Sequence, residues 1–186
     1  MAETISLWTM QSYYALQALS DTGVYQVKRR YVDQKYGEAG RSFQIAYQFF
    51  VEEAARRLPP PPGAESPIWL YRDRRWADSG PAGTLLEVDA PAQQVILFDL
   101  RSWNRILNLT YLPQDQVDEE AFSAQLARQG VSRPSDIFLT PYYPQLKSQV
   151  YQSWKRLFTD APPPPEYTQA ALWELHRDWV TIHHPQ

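Results

Sequence analysis

Glu174 is the residue whose type and position most clearly point to chemistry. It lies in the mostly apolar run Gln169-Ala-Ala-Leu-Trp-Glu-Leu175 near the end of the chain. If this run is a strand, Leu172 and Glu174 share one face and Gln169 lies on the other, because successive side chains alternate. A carboxylate in such a run either faces solvent at a sheet edge or lies in a cleft, since charged residues are rarely buried unpaired. Both interpretations stay open, and Glu174 is the candidate catalytic residue.

A second candidate site consists of arginines that lie close in sequence to aromatic residues. The arginines are Arg29, Arg30, Arg72, Arg74 and Arg75, and the aromatic residues are Tyr25, Tyr31, Tyr36, Tyr71 and Trp76. A guanidinium group binds phosphate through paired hydrogen bonds and stacks on flat rings, and aromatic side chains stack on bases. This combination predicts a nucleotide or NAD as the ligand. The alternative is that these arginines are solvated on a loop and on one strand face.

Other kinds of site are excluded by what the sequence lacks. There is no cysteine, so disulfides and thiol catalysis are excluded. The segment from Gly37 to Gly40 is too short for a phosphate-binding loop and lacks its lysine. All three histidines, His176, His183 and His184, fall within the last eleven residues, so we predict no metal site.

Charge and hydropathy restrict the partners of the protein. The formal net charge is −3, whereas a general nucleic-acid footprint is usually basic, so general nucleic-acid binding is not expected. No apolar run approaches the ~20 residues of a membrane helix, and the first residues lack the features of a secretory signal. We therefore expect a bacterial protein of the cytoplasm that does not contact a membrane.

The order of the helix and strand patterns predicts an α+β fold. Strands are predicted at Ile5 to Met10 and at Val24 to Val32, separated by a helix from Ser12 to about Leu19 that Gly23 ends. The later elements do not alternate as strand and crossover helix, which a parallel sheet would require. We predict a single domain, residues 1–186, with a small, mostly antiparallel sheet and four or five flanking helices.

Two longer helices supply most of the predicted core. The first runs from Ser42 to about Leu58, and its buried stripe is Phe43, Ala46, Tyr47, Phe50 and Ala54. Glu52 and Glu53 are predicted to lie on its solvent side. The second helix starts at Thr140-Pro141, with Thr140 as cap and proline at the first helical position, and runs to about Phe158.

Several short segments, in order along nearly the whole chain, resemble a known bacterial family. They are Leu7-Trp-Thr-Met-Gln11, Pro67-Ile-Trp-Leu-Tyr71, Leu86 to Asn108, Ser153-Trp-Lys-Arg-Leu-Phe158 and Gln169 to Leu175. The sequence is similar in these segments to the family named domain of unknown function 3841. That resemblance implies a single-domain bacterial protein and no particular activity.

The ends of the chain also resemble ADP-ribosyltransferase folds. Such proteins begin with a strand and a helix beside the nicotinamide pocket, and Trp8 and Thr9 would match that strand. They end with a strand that carries a catalytic Glu, and Glu174 would match that residue. In that family a Gln or Glu often precedes the catalytic Glu by two residues. Here Leu172 holds that position and Gln169 lies five residues before, which predicts opposite faces unless a bulge intervenes.

The resemblance implies a role for each candidate residue. The backbone at Trp8 and Thr9 would frame the nicotinamide amide of bound NAD. A tyrosine would stack on the nicotinamide ring and an arginine would hold the pyrophosphate; the candidates are Tyr25, Tyr47, Tyr71, Arg29 and Arg72. Glu174 would hydrogen-bond the ribose 2′-hydroxyl and stabilise the oxocarbenium-like centre.

The sequence supports a second class of function, a binding module without catalysis. Aromatic residues form 14% of the chain, and Tyr, Trp and Arg dominate the energetics of binding surfaces. Such a module would bind a protein partner or a nucleotide, for example as an antitoxin or a phage-related interaction protein. The two classes differ in where Glu174 lies, which is a concave pocket for an enzyme and bulk solvent for the module.

Overall fold

The computed structural model describes residues 3–30, 32, 40–78 and 83–183. The predicted turn at Gly37 to Arg41 falls partly outside the described residues, as do Tyr31, Tyr36 and His184.

The described elements are strands and helices mixed along the chain. The strands are β1 (Thr4–Gln11), β2 (Val24–Gln26), β3 (Ile68–Tyr71), β4 (Thr84–Pro91), β5 (Ile96–Asp99), β6 (Thr168–Leu172), β7 (Glu174–His176) and β8 (Val180–His183). The helices are α1 (Tyr13–Thr22), α2 (Gly40–Arg57), α3 (Arg74–Ala77), α4 (Leu100–Leu107), α5 (Gln116–Arg128), α6 (Asp136–Leu139), α7 (Pro144–Trp154) and α8 (Arg156–Thr159).

Six strands form one sheet in the order β5-β6-β3-β1-β4-β8, and β2 and β7 form a separate pair. Every strand pair among the described residues is antiparallel. In the described part of the chain, five helices have at least eight residues, namely α1, α2, α4, α5 and α7. The predicted α+β class, with its mostly antiparallel sheet, is confirmed, and the single domain stays a prediction.

The large sheet separates two apolar clusters. One cluster packs Trp69, Phe98 and Ala171 of the sheet against α2, α4, α5 and α7, with Phe50 and Trp154 fully buried. The other cluster joins sheet residues such as Leu7, Leu70 and Leu86 to Leu19 of α1 and Leu175 of β7. The two-stranded sheet therefore lies with α1 on the face opposite α2.

Strand β2 is shorter than the sequence predicts. It ends at Gln26, which pairs with Glu174, and Val27 makes one isolated bridge to Ser66. The backbone at Arg29 and Arg30 is helical instead of extended. A longer β2 would have no strand to pair with, because β7 begins at Glu174, the residue opposite Gln26.

The start of the second long helix is also predicted wrongly. Thr140 closes α6, because its backbone N–H and its Oγ1 both donate to the carbonyl oxygen of Asp136. The next helix, α7, begins at Pro144 after Tyr143, which has a positive φ of 65°. Proline does occupy the first helical position, but in the Tyr143-Pro144 pair rather than in Thr140-Pro141. The sequence also predicts six inward residues for this helix; Leu146, Val150, Trp154 and Leu157 are buried, and Tyr143 and Phe158 are only partly buried.

Helix α2 confirms most of its predicted stripe and contradicts one assignment. Ala46, Phe50 and Ala54 are fully buried, and Tyr47 is partly buried against the same cluster. Glu52 is exposed as predicted, but Glu53 is 6% exposed, so its predicted solvent position is wrong. Its carboxylate is buried beneath two exposed arginines, since Arg56 and Arg57 both donate hydrogen bonds to it.

The buried ion pair predicts an acid-dependent stability. Burial raises the pKa of Glu53, but the hydrogen bond from Arg57 and the charges of Arg56 and Arg57 outweigh it and hold the pKa below its ordinary value. The stabilisation by the ionised Glu53 carboxylate is present above the pKa of an unfolded glutamate, about 4.3. It is lost as the pH falls through the lower pKa of Glu53 in the folded state.

We therefore expect Glu53→Gln to cost about 1.5 kcal/mol at pH 7, the low end of the range for hydrogen bonds to charged groups. The low end applies because the Arg56 side chain is 65% exposed. Urea unfolding at pH 7 and pH 3 measures the cost, which should shrink at the lower pH. The exposed neighbour Glu52→Gln is the control, and an equal cost at both pH values would contradict the role of this pair.

No helix in the described part of the chain is long and apolar enough to span a membrane.

Candidate functional site

A cleft opens where the six-stranded sheet is incompletely paired. Strands β1 and β3 are neighbours, but Trp8 and Tyr71 are the single register pair between them in the described chain. Beyond Trp8 the two strands diverge, although β1 stays paired with β4 through Gln11. Thr9 bridges the opening, because its Oγ1 donates to the Trp69 carbonyl oxygen at 2.8 Å and accepts from Gln11 Nε2 at 2.9 Å.

The cleft encloses about 1730 Å³ and reaches from this opening to α1 and the two-stranded sheet. Its described lining comes from helices α1 to α4 and from strands β1, β2, β3, β6 and β7, so residues distant in sequence meet there. Because a pocket for a single drug-sized ligand typically measures about 300–1,000 Å³, the space is ample for a dinucleotide.

Glu174 lies in this cleft and not on a solvent-facing edge. Its side chain is 19% exposed. The chain bends at Trp173, between β6 and β7, so Glu174 leaves the large sheet and pairs with Gln26 of β2. Trp173 is itself buried, and its Nε1 donates to the Leu58 carbonyl oxygen at 2.6 Å. That hydrogen bond anchors the bend to the end of α2.

Two neighbouring side chains hold the Glu174 carboxylate. Gln26 Nε2 donates to Oε2 at 2.9 Å, and His176 Nε2 lies at hydrogen-bonding distance, 2.8 Å, from Oε1. The His176 ring packs against Trp179, with 4.2 Å between ring centroids. Both carboxylate oxygens are therefore oriented, and the group is placed to interact with positive charge that develops in the cleft.

The turn after the run of four prolines at residues 59–62 supports Gln26. Gln26 Nε2 also donates to the Pro62 carbonyl oxygen at 3.2 Å, and Lys28 Nζ donates to that of Gly63. Gly63 has a φ of 92°, and a Cβ there would lie 2.8 Å from Gln26 Oε1. The positive φ favours glycine, and a side chain there would also shift the amide of Gln26.

Five aromatic side chains line one wall of the cleft. They are Phe43, Tyr47, Trp69, Tyr71 and Trp103. Phe43 stacks on Tyr47 at 4.2 Å between centroids, and Trp69 stacks on Trp103 at 5.4 Å. Tyr47 contacts both tryptophans, at 5.3 and 5.9 Å. Such a wall is suited to a flat ring. We call these five residues the aromatic wall.

The structure brings together five of the eight candidate residues. Thr9, Tyr25, Tyr47, Tyr71 and Glu174 all line the cleft. Trp8, Arg29 and Arg72 are not among its described lining residues. The Trp8 ring packs against Arg74 and His183. The backbone N–H of Arg29 donates to the Glu65 carboxylate, and that of Arg72 donates to the Thr168 carbonyl oxygen.

Several lining residues were not candidates from the sequence. Lys28 supplies positive charge, and Gln26 and His176 hold the carboxylate, whereas Arg30, which also lines the cleft, belongs to the arginine cluster that the sequence predicted. His176 could have been found, because it lies two residues from Glu174 and a strand places such residues on one face. Gln26 could not, since its contact with Glu174 depends on the pairing of β2 with β7.

Gln169 and Glu174 line the same cleft despite their spacing of five residues. The alternation of a continuous strand predicted opposite faces. The bend at Trp173 takes Glu174 out of the large sheet, so the cleft reaches both residues although Gln169 lies on the α2 face with Phe98 and β7 lies on the α1 face. Among the described residues, no group of three or more His, Asp and Glu side chains could hold a metal ion.

The fold and cleft define an α+β protein with an antiparallel sheet and an oriented carboxylate in an aromatic-lined cleft. The profile of a family described as Domain of unknown function (DUF3841) matches residues 6–181. The chain therefore belongs to that family, as the resemblance of its short segments indicated. No curated protein and no solved structure matches the chain.

Proposed function

We propose that the cleft binds NAD and that the protein is an ADP-ribosyltransferase-like enzyme with Glu174 as its catalytic residue. The observation that carries this proposal is the position of the Glu174 carboxylate, which lines the cleft and is hydrogen-bonded at both oxygens. A carboxylate needed only for solubility would have no reason to be desolvated and oriented in this way.

The chemistry follows from where that charge lies. When the bond between nicotinamide and the ribose C1′ breaks, its electron pair leaves with nicotinamide and the ribose becomes oxocarbenium-like. The Glu174 carboxylate would hydrogen-bond the ribose 2′-hydroxyl and stabilise the positive centre. An acceptor nucleophile then bonds to C1′ and releases its proton to solvent or to a nearby base. Preorganised electrostatic stabilisation of this kind is usually the largest catalytic contribution.

The remaining parts of NAD have matching surroundings. The aromatic wall, with Tyr47 and Tyr71, offers a stacking surface for the nicotinamide ring, and Tyr25 lines the same cleft. Trp8 and Thr9 lie where β1 parts from β3, so their backbone would frame the amide of nicotinamide. Lys28 and Arg30 line the cleft and would hold the pyrophosphate. Arg29 and Arg72, which are not among its described lining residues, are alternative cations for it.

We expect Arg30→Ala to weaken NAD binding by about 10-fold or more, since a hydrogen bond to a charged group contributes about 1.5–3 kcal/mol and 1.4 kcal/mol is tenfold. Isothermal titration with NAD measures the change. Arg29→Ala and Arg72→Ala should have smaller effects, because neither residue is among the described lining. Arg128→Ala, at an exposed position of α5, is the control. Unchanged affinity in Arg30→Ala would remove that residue from the phosphate site.

The unmodified protein provides the primary test. Trp69, Trp76 and Trp103 line the cleft, so NAD binding should change the intrinsic tryptophan fluorescence in a saturable way. Nicotinamide release should accompany it, first with water as acceptor and then with proteins, nucleic acids and small nucleophiles supplied. Absence of both signals would contradict the proposal.

A non-catalytic binding module is the second candidate, and the exposed aromatics beside the cleft favour it. Tyr13 and Tyr14 at the start of α1 are 71% and 79% exposed, and Tyr14 also lines the cleft. Large exposed aromatics are typical anchors for a protein partner. Saturable NAD or nucleotide binding without nicotinamide release would support this candidate over the transferase. Either function fits a bacterial cytoplasm, where nucleotides and NAD are available.

A further inference from the structure

Gln169 carries a buried acceptor that no described residue satisfies. The residue is 3% exposed on β6, and its Oε1 is buried without a hydrogen-bond partner. A buried polar atom left unpaired destabilises a protein, so nearly all such atoms in folded proteins have partners. Gln169 also lines the cleft, so a turn of its amide about the last side-chain torsion would bring this acceptor to a ligand that supplies the missing partner.

The surroundings of Gln169 restrict what this ligand is. In the sheet Gln169 lies directly between Tyr71 of β3 and Phe98 of β5, and directly opposed residues share a face. Tyr71 belongs to the aromatic wall, so the acceptor lies at its edge. A flat ring stacked on the wall would extend its substituents along that edge, toward Gln169.

We infer that Gln169 is a specificity-determining residue, and that it selects a flat ring bearing an N–H donor group. An isolated carbonyl acceptor accepts a hydrogen bond from such a group and rejects a ring that lacks it, because the acceptor then stays unpaired. Two groups share this chemistry. One is the primary carboxamide of nicotinamide, and the other is the exocyclic amino group of a nucleobase.

The inference rests on the cleft of the proposed function being the binding site, but it does not require Glu174 to be catalytic. A protein that binds amide- or amino-bearing rings without cleaving NAD would contradict the transferase and leave the inference intact.

The experiment compares pairs of ligands that differ in one donor. Nicotinamide is compared with 3-acetylpyridine, which keeps the ring and carbonyl but replaces the amino group by methyl. Adenosine is compared with purine riboside, in which a hydrogen atom replaces the amino group. Affinities are measured by isothermal titration with the full chain, for the parent and for Gln169→Leu. Gln17→Leu is the matched control, since Gln17 also lines the cleft but is exposed.

We expect the parent to prefer the donor-bearing ligand of one pair by about 10-fold or more, roughly one good hydrogen bond. Gln169→Leu should abolish that preference, and Gln17→Leu should keep it. A preference within the nicotinamide pair identifies the carboxamide, and one within the adenosine pair identifies an amino-bearing base. No preference in the parent, or a preference that survives in Gln169→Leu, would overturn the inference.

The melting temperature separates recognition from a structural role. Removing an unpaired acceptor should leave the melting temperature of the free protein unchanged or raise it by about 2–4 °C, the shift for about 1 kcal/mol in a chain of this size. Gln169→Met, an unbranched variant of similar length, provides the same comparison if the leucine variant does not fold. A melting temperature several degrees lower in both variants would show that Gln169 supports the fold and would overturn its assignment to the ligand.

Discussion

Replacing Glu174 by Gln is expected to lower the rate of NAD cleavage by about 10²-fold or more, the usual loss when one well-placed electrostatic group is removed. The substitution keeps the shape of the side chain and removes its charge. Gln26 and His176 can still hydrogen-bond an amide at this position, because an amide group and an imidazole ring can each reverse donor and acceptor. The melting temperature should therefore stay about the same. Nicotinamide release under single-turnover conditions measures the chemical step.

The control for this prediction is a second Glu–His pair. Glu87 Oε2 lies 3.0 Å from His183 Nε2, and neither residue is among the described lining of the cleft. Glu87→Gln makes the same chemical change and should leave NAD cleavage unaltered. Loss of activity with stability kept supports the transferase, whereas unchanged activity in Glu174→Gln would remove Glu174 from catalysis. A large loss of stability would assign the carboxylate to the fold.

Phe50→Ala is expected to cost about 3–5 kcal/mol in the free energy of unfolding, the range for truncating a buried phenylalanine. Phe50 is fully buried in α2, and its ring packs edge-on or tilted against four others: Trp69, Phe98, Trp103 and Phe158. The cavity left by the ring would lie between α2 and the sheet, where two packed layers have little freedom to close it. Urea unfolding followed by circular dichroism measures the cost.

A matched substitution on the same helix tests whether position or residue type matters. Phe43 is only partly buried, and we expect Phe43→Ala to cost less than half as much as Phe50→Ala. The substitution also removes part of the aromatic wall, so NAD affinity should fall. A cost below about 1 kcal/mol for Phe50→Ala would contradict the packing of α2 against the sheet.

Local sequence patterns predicted those parts of the fold that local physics determines. The stripe of α2 follows from the 3.6-residue period, which places Ala46, Phe50 and Ala54 on one side. Gly23 ends α1 with a φ of 79°, as a residue without Cβ can. Periodicity failed at Glu53, because it assigns charged residues to solvent and cannot anticipate that Arg56 and Arg57 fold back over the carboxylate.

The candidate site depends on contacts that a local pattern does not contain. Glu174 was found because a carboxylate in an apolar run is unusual. Its partner Gln26 lies 148 residues earlier in the chain, and only the pairing of β2 with β7 brings the two together. The same limit applies to Gln169, whose place beside Tyr71 is determined by the register between β6 and β3.

The single register pair between β1 and β3 has a mechanical consequence. The sheet consists of two three-stranded leaves, β5-β6-β3 and β1-β4-β8, whose backbones are paired only at Trp8 and Tyr71 in the described chain. The leaves are otherwise held together by the hydrogen bond from Thr9 Oγ1 to the Trp69 carbonyl oxygen and by packing of Leu7 against the apolar cluster that contains Leu70. Apolar contacts tolerate small rotations because they have no preferred direction. Side-chain contacts therefore determine how easily the cleft changes its width. The two leaves can move apart without breaking a ladder of backbone hydrogen bonds.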